Sequence, residues 1–140
     1  MNWLLPAQTL LHLISSTPTA AQTWSGAVQM RELRVSVISI AQARARIQLI
    51  PTHAVRSALD TDLDVLLGQI AADSGIAPFD FTRSHATIWT ALSVDPALQG
   101  VQQTDRQVYA TAMYEGLTIV EAVRPETPAL TALGASIHVL

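Results

Sequence analysis

The chain has 140 residues, of which 49% are hydrophobic and 14% are charged, and its formal net charge is −3. This length and composition suit one compact domain, residues 1–140, with a sizeable core. The absence of cysteine excludes disulfides, thiolate metal ligands and cysteine nucleophiles. No run approaches the ~18 apolar residues of a membrane span. The apolar N-terminal stretch has no basic residue before Arg31, so it lacks the start of a signal peptide and a cytoplasmic location is expected.

Positive charge is concentrated in the first part of the chain. Residues 1–56 contain five arginines and one glutamate, which gives +4, whereas the remainder carries −7. All eight basic residues are arginine, and the planar guanidinium group suits phosphate and carboxylate partners. Genomic base composition explains such a bias equally well, so the charge pattern alone names no ligand.

Short apolar runs alternate with helical patterns and turn signals, which is typical of an α/β sandwich. Brief apolar runs predict strands, and Pro18 interrupts the first helical region. The elements predicted in the first part are a strand at 3–5, helices at about 8–15 and 20–31, a strand at 35–38, and a helical pattern through positions 40, 43 and 47.

The clearest amphipathic helix runs from about Ala54 to Ser74, and Gly75 is expected to end it. Beyond it, the pattern predicts a short strand or edge segment at 76–79 and a helix whose inner face contains residues 86, 89 and 92. A capping box at Thr104–Gln107 predicts the start of a further helix, which is expected to end at Gly116. Two strands are predicted after it, at 117–120 and 136–139.

The sequence contains no calcium-binding loop, no histidine metal motif and no serine-nucleophile motif. Asp60, Asp62 and Asp64 lack the glycine and the terminal glutamate of a calcium loop, so they are interpreted as a solvated helix face. The four histidines have no metal-ligand spacing, and the serines stand in no nucleophile motif.

Three stretches of the chain resemble the VapC-type PIN domain of bacterial toxin–antitoxin pairs. Residues 105–112 with 115–120 are similar to the family's DALIAATA…HGLTLVT, residues 133–137 resemble its closing LGVxV, and residues 35–42 resemble its ISVITLAE. The resemblance implies a three-layer α/β/α PIN-like fold with a short, mainly parallel central sheet. It also implies a carboxylate site that holds Mg²⁺ or Mn²⁺, which activates water to cut RNA.

Two of the acidic positions that the resemblance implies are replaced. The first aspartate falls on Pro6, which has no ligating side-chain atom, and the glutamate after the second strand falls on Gln42, which lacks the charge of a carboxylate. Asp105 matches the third acid, and Glu126 alone could replace the fourth. Asp105 and Glu126 are therefore the candidate catalytic residues and metal ligands of a degenerate site. Little nuclease activity, as in a pseudoenzyme, is expected.

Two arginines near Gln42 are candidate RNA contacts, Arg44 and Arg46. Arg46 lies one helical turn beyond Gln42 on the same face. The sequence interpretation places its guanidinium in the emptied metal pocket, paired with Asp105 as a tethered substitute for the lost ion.

The sequence is compatible with two main functions. In the first, the chain is a toxin-like protein, expected to be a homodimer, that binds a VapB-like antitoxin in a groove between its N-terminal helices, where positive charge suits an acidic tail. In the second, it is an active Mg²⁺- or Mn²⁺-dependent endoribonuclease that uses Asp105, Glu126 and Glu121. RNA binding without cleavage is a third alternative, which would show strong salt dependence.

Overall fold

The structure, a computed structural model, describes residues 1–140. A four-stranded sheet has the order β2-β1-β3-β4, and every neighbouring pair is parallel. The strands are β1 (Trp3–Leu4), β2 (Leu33–Arg34), β3 (Thr118–Glu121) and β4 (Ser136–Val139). Parallel strands need long crossover connections, which here contain the helices.

Seven α-helices surround the sheet, and two 3₁₀ turns, Met30–Glu32 and Pro96–Leu98, lie between them. The helices are α1 (Ala7–Leu13), α2 (Ala20–Ser25), α3 (Val37–Gln48), α4 (His53–Ser74), α5 (Arg83–Val94), α6 (Gln103–Glu115) and α7 (Thr127–Ala132). None of them combines the length and the apolar composition that crossing a membrane requires.

Two buried clusters lie on opposite faces of the sheet. Consecutive strand residues point to opposite faces, and accordingly Leu4 and Ile119 join a cluster with α5 and α6, whereas Leu5 and Val120 join a cluster with α1, α3 and α4. The arrangement is helix, sheet, helix. The predicted three-layer α/β/α fold is confirmed, and its short sheet is parallel throughout.

The N-terminal predictions differ from the structure at two elements. The predicted strand at 35–38 is wrong, because Ser36 caps α3: its hydroxyl accepts a hydrogen bond from the Ser39 amide at 3.0 Å, and the helix begins at Val37. The strand lies two residues earlier, at β2. The predicted helix at 20–31 ends at Ser25, and only a 3₁₀ turn follows at Met30–Glu32.

The segment at 76–79 contributes a single parallel bridge, between Ser36 and Phe79, rather than a full strand. Two predicted helix ends are confirmed, since Gly75 and Gly116 both adopt φ 68°, a left-handed conformation that glycine adopts without strain. The capping box predicted at Thr104 is wrong. Helix α6 starts at Gln103, and the Thr104 hydroxyl accepts from the Gln42 side chain at 2.8 Å instead.

Candidate functional site

A cavity of about 350 Å³ opens at the carboxyl ends of β1 and β3. Crevices at this edge of a parallel sheet are the usual ligand sites of open α/β folds. The polar side chains that line it come from the start of α1, from α3, from α6 and from the end of β3 with the loop after it: Gln8, Arg46, Asp105, Tyr109, Glu121 and Arg124. The sheet therefore gathers residues distant in sequence into one polar site.

Arg124, in the loop after β3, occupies the acidic end of this cavity. Its Nη2 lies 3.5 Å from Asp105 Oδ2 and its Nε lies 3.5 Å from Glu126 Oε2. Its Nη1 donates a hydrogen bond to the Tyr109 hydroxyl at 3.0 Å. The side chains of Arg124 and Asp105 are only 26% and 24% exposed, so solvent screens their pairing incompletely.

Tyr109 connects Arg124 to a third carboxylate. The tyrosine is buried, and its hydroxyl donates to Glu121 Oε2 at 2.5 Å. Burial raises the pKa of Glu121, although the hydrogen bond from Tyr109 and the charge of Arg124 act in the opposite direction. Burial, together with the negative charge of Glu121, also raises the pKa of the Tyr109 phenol. The phenol therefore remains a hydrogen-bond donor at neutral pH.

Gln42 directs its amide nitrogen, not its carbonyl oxygen, at the acidic residue that the sequence singled out. The Nε2 atom donates to Asp105 Oδ1 at 3.0 Å and to Thr104 Oγ1 at 2.8 Å. Pro6 lines the cavity but offers no side-chain donor or acceptor. The structure thus brings Pro6, Gln42 and Asp105 together at one edge of the sheet, and Arg124 links Glu126 to them.

The predicted pairing of Arg46 with Asp105 is wrong. Arg46 lines the cavity, but it is exposed, and its Nη1 donates to Gln8 Oε1 at 2.8 Å. Gln42 and Arg124 already engage both oxygens of Asp105. The arginine that pairs with Asp105 is Arg124 rather than Arg46.

Arg44 points away from the cavity toward α4. Its Nη2 lies 2.6 Å from Asp64 Oδ1 and its Nη1 lies 4.0 Å from Asp60 Oδ1. Both carboxylates belong to the helix face that the sequence analysis treats as solvated. Exposed ion pairs of this kind contribute little to stability.

Two residues of the site, Arg124 and Tyr109, are not predicted from the sequence. Tyr109 lies four residues after Asp105, so it shares a helix face with the acid, and this spacing could have indicated it. Arg124 lies two residues before Glu126 in the segment where the sequence departs from the family pattern. Nothing in that pattern indicates which way the loop after β3 turns.

These residues do not fit a bound divalent cation. No group of three or more acidic or histidine side chains is placed so that it could hold a metal ion. Mg²⁺ requires oxygen ligands in near-octahedral geometry at about 2.0–2.1 Å. Here a guanidinium lies against Asp105 and Glu126, and an amide N–H group points at Asp105. The cavity is therefore an acidic site whose counter-ion is a side chain.

A second cavity, of about 300 Å³, lies between α1, α3 and α4. Its apolar wall includes Leu11, Ile47, Ile50, Val55 and Leu59, and its polar lining includes His12 and Arg46. Arg46 lines both cavities. We refer to this second cavity as the helical groove.

A short parallel sheet lies between two helical layers, with acidic side chains at its carboxyl edge, which is the PIN-like fold that the sequence resemblance implies. No protein-family model matches the sequence, and a search of curated proteins finds no match either.

Solved structures share the fold. FitAcB from Neisseria gonorrhoeae is 18% identical with a TM-score of 0.77, covering 96% of this chain and 95% of that chain. VapBC2 from Rickettsia felis, bound to a DNA fragment from its promoter, is 14% identical with a TM-score of 0.77, covering 100% and 99%. VapBC-5 from Mycobacterium tuberculosis, of the VapBC family of toxin–antitoxin systems, is 17% identical with a TM-score of 0.66, covering 99% and 97%.

Proposed function

We propose that the protein is a degenerate VapC-like subunit of a toxin–antitoxin module, which binds an antitoxin and has little or no nuclease activity. The observation that carries the proposal is the position of the Arg124 guanidinium, beside two of the carboxylates that a metal ion would need. A metal ion in such a site acts by coordinating water and lowering its pKa. A guanidinium supplies positive charge but no coordination position, so it does not replace that chemistry.

The helical groove supports the binding part of the proposal. It lies between helices of the N-terminal half, where the sequence predicts antitoxin binding, and its wall is apolar. An amphipathic helix places its apolar face in a groove of this kind. The lining contains the cationic Arg46 and the ionisable His12 but no acidic residue. A partner segment with acidic residues would therefore be complementary in charge.

Co-expression with any small reading frame of the same operon tests partner binding. The variant Val55→Asp places a charge in the wall of the helical groove at a side chain that is 45% exposed, so the fold should tolerate it. We expect the binding affinity to fall at least tenfold. The matched control is Val65→Asp on the same helix, where the side chain is 54% exposed and does not line the groove. Equal binding by both variants, or no complex with the native chain, contradicts the proposal.

A second candidate function is metal-dependent RNA cleavage, because Asp105 and Glu121 line the same cavity and Glu126 is linked to it through Arg124. RNA cleavage with and without Mg²⁺ or Mn²⁺, with Asp105→Ala as the control for contaminating nuclease, decides between the two functions. We expect no cleavage that depends on both the metal and Asp105. Metal-dependent RNA cleavage by the native chain that is lost in Asp105→Ala would show that the protein is a nuclease.

RNA binding without cleavage would involve Arg46 rather than Arg44. Arg44 is engaged by Asp60 and Asp64, whereas Arg46 has a neutral partner, Gln8. An RNA affinity that falls steeply between low and moderate salt, and falls further in Arg46→Ala, would support this activity.

We further propose that residues 1–140 act as one domain, as a homodimer, in the cytoplasm. Exposed apolar side chains such as Leu49, 83% exposed, and Val94, 73% exposed, favour a partner surface. Light scattering on the purified chain measures its oligomeric state, and a monomer at all concentrations contradicts the homodimer.

A further inference from the structure

We propose that the acidic end of the 350 Å³ cavity is a guanidinium-binding site, which Arg124 fills from within the chain. The site would hold this guanidinium whether or not an antitoxin binds elsewhere on the chain.

Arg124 makes one hydrogen bond, to Tyr109, and two charge pairs at 3.5 Å, to Asp105 and Glu126. Each of the three nitrogens of Arg124 faces a different partner: Nη1 the Tyr109 hydroxyl, Nη2 the Asp105 carboxylate and Nε the Glu126 carboxylate. The Cζ atom also lies 5.9 Å from the centroid of the Tyr109 ring, within the range of a cation–π contact. A planar fork of donors makes such a set of contacts, whereas a compact ammonium group does not.

The acceptors are held in place by contacts of their own. Tyr109 is 2% exposed and donates to Glu121, and Asp105 accepts from Gln42. The Glu126 carboxylate lies against Gly100, where an added Cβ would be 2.5 Å from Oε1. Tyr109 and Asp105 are therefore positioned by neighbours other than Arg124, so this part of the site is preorganised for the guanidinium.

The charge balance explains why a cation is required. Asp105, Glu121 and Glu126 surround a single positive group, and Glu121 is buried enough for its pKa to be raised. Removing that group leaves partly buried carboxylates without a counter-ion, which is strongly unfavourable. The same occupancy closes the acidic end to a cation from elsewhere, whether a metal ion or a basic side chain of a partner.

Chemical rescue tests the site. Arg124→Ala should lower the melting temperature by several degrees, and low-millimolar methylguanidinium should restore part of the loss. Methylammonium at the same concentration should restore less, because it lacks the planar fork. Arg83→Ala, which removes an exposed arginine at the start of α5, is the matched control and should respond to neither ion. Arg124→Lys should recover only part of the wild-type melting temperature.

A measurement on the wild-type chain covers the case in which Arg124→Ala does not fold. Side-chain ¹⁵N NMR should show slow rotation about the Nε–Cζ bond of Arg124, with separate Nη signals, and fast rotation for Arg83. The inference is overturned if Arg124 rotates as freely as Arg83. It is also overturned if Arg124→Ala has the same melting temperature as the wild type, or if methylguanidinium and methylammonium raise the melting temperature of Arg124→Ala equally.

Discussion

Tyr109 joins the positive and negative parts of the polar network, because its single hydroxyl accepts from Arg124 and donates to Glu121. Tyr109→Phe keeps the packing but leaves the Glu121 carboxylate without its short hydrogen bond. We expect the free energy of unfolding to fall by about 1–3 kcal/mol, the cost of an unsatisfied buried polar group. Urea unfolding at neutral pH measures the change.

The control for that variant is Tyr114→Phe, on the same helix. Tyr114 is 55% exposed, and removing its hydroxyl should change the free energy of unfolding by less than about 0.5 kcal/mol, as for most surface changes. If both variants lose equal stability, the hydroxyl of Tyr109 has no special role.

Glu121 makes stability depend on pH in a direction opposite to that of an ordinary ion-paired acid. Its pKa is raised in the folded state, chiefly by burial, so the folded chain holds this proton more tightly than the unfolded chain. The contribution is stabilising below the unfolded pKa and is lost as the pH rises through the folded pKa. The groups that face it are Tyr109, Arg124 and Asp105.

We therefore expect the wild type to lose more stability than Glu121→Gln when the pH rises from about 4 to 7, a range that starts near the ordinary glutamate pKa. Urea unfolding at several pH values measures the two profiles. Parallel profiles would mean that Glu121 titrates in the folded chain as it does in the unfolded one.

At the scale of the elements, Gly116 determines how α6 passes into β3. Its φ is 68°, which a residue with a Cβ adopts only with strain. Gly116→Ala should reduce the free energy of unfolding by about 1 kcal/mol. Gly68→Ala, within α4 where nothing lies within 4 Å of an added Cβ, should instead increase it by about 0.5–1 kcal/mol. Opposite signs in thermal unfolding are the expected result, and equal signs contradict it.

The helix ends that glycine determines were predictable, because the signal is local to Gly75 and Gly116. The strand after α6 and the last strand were predictable for the same reason, since each is a short β-branched run after a turn. The prediction was wrong at 35–38, where a capping serine precedes apolar residues that are equally compatible with helix. The residue types in such a segment are compatible with either a strand or a helix. The hydrogen bond that the Ser36 hydroxyl accepts from the Ser39 amide stabilises the start of a helix instead.

The candidate site was predicted in part. The family resemblance placed Pro6, Gln42 and Asp105 in one site, and the parallel sheet does bring them to a common edge. The identity of the internal cation was not predictable. Helical spacing favours Arg46, whereas the loop after β3 carries Arg124 between carboxylates that come from different elements. Contacts that depend on loop conformation leave no periodic signal in the sequence.

On the scale of the whole molecule, the two cavities differ in charge: one is lined by acidic residues and the other is not. The cavity at the carboxyl edge of the sheet holds acids with their own arginine, whereas the helical groove combines an apolar wall with Arg46. Arg46 has no carboxylate partner, and it lies where the two cavities meet. A partner that fills the groove therefore meets the positive charge of Arg46 at the entrance of an acidic site that already contains its own arginine, Arg124.

The same arrangement predicts that divalent cations do not stabilise the folded chain. A ligand at 100 times its dissociation constant adds about 2.7 kcal/mol to the free energy of unfolding, which for a chain of this size raises the melting temperature by on the order of 10 °C. A functional metal site should show this gain in millimolar Mn²⁺. Here Asp105 and Glu126 face Arg124, and Gln42 occupies an oxygen of Asp105 with an N–H group. Metal binding would have to displace both.

We therefore expect the melting temperature in millimolar Mn²⁺ or Mg²⁺ to match that in EDTA at equal ionic strength. A rise of several degrees, absent in Asp105→Ala, would show that the acids give up their internal partner for an ion. That result would favour the nuclease over the binding protein, because water activation needs a bound metal and a guanidinium does not provide one.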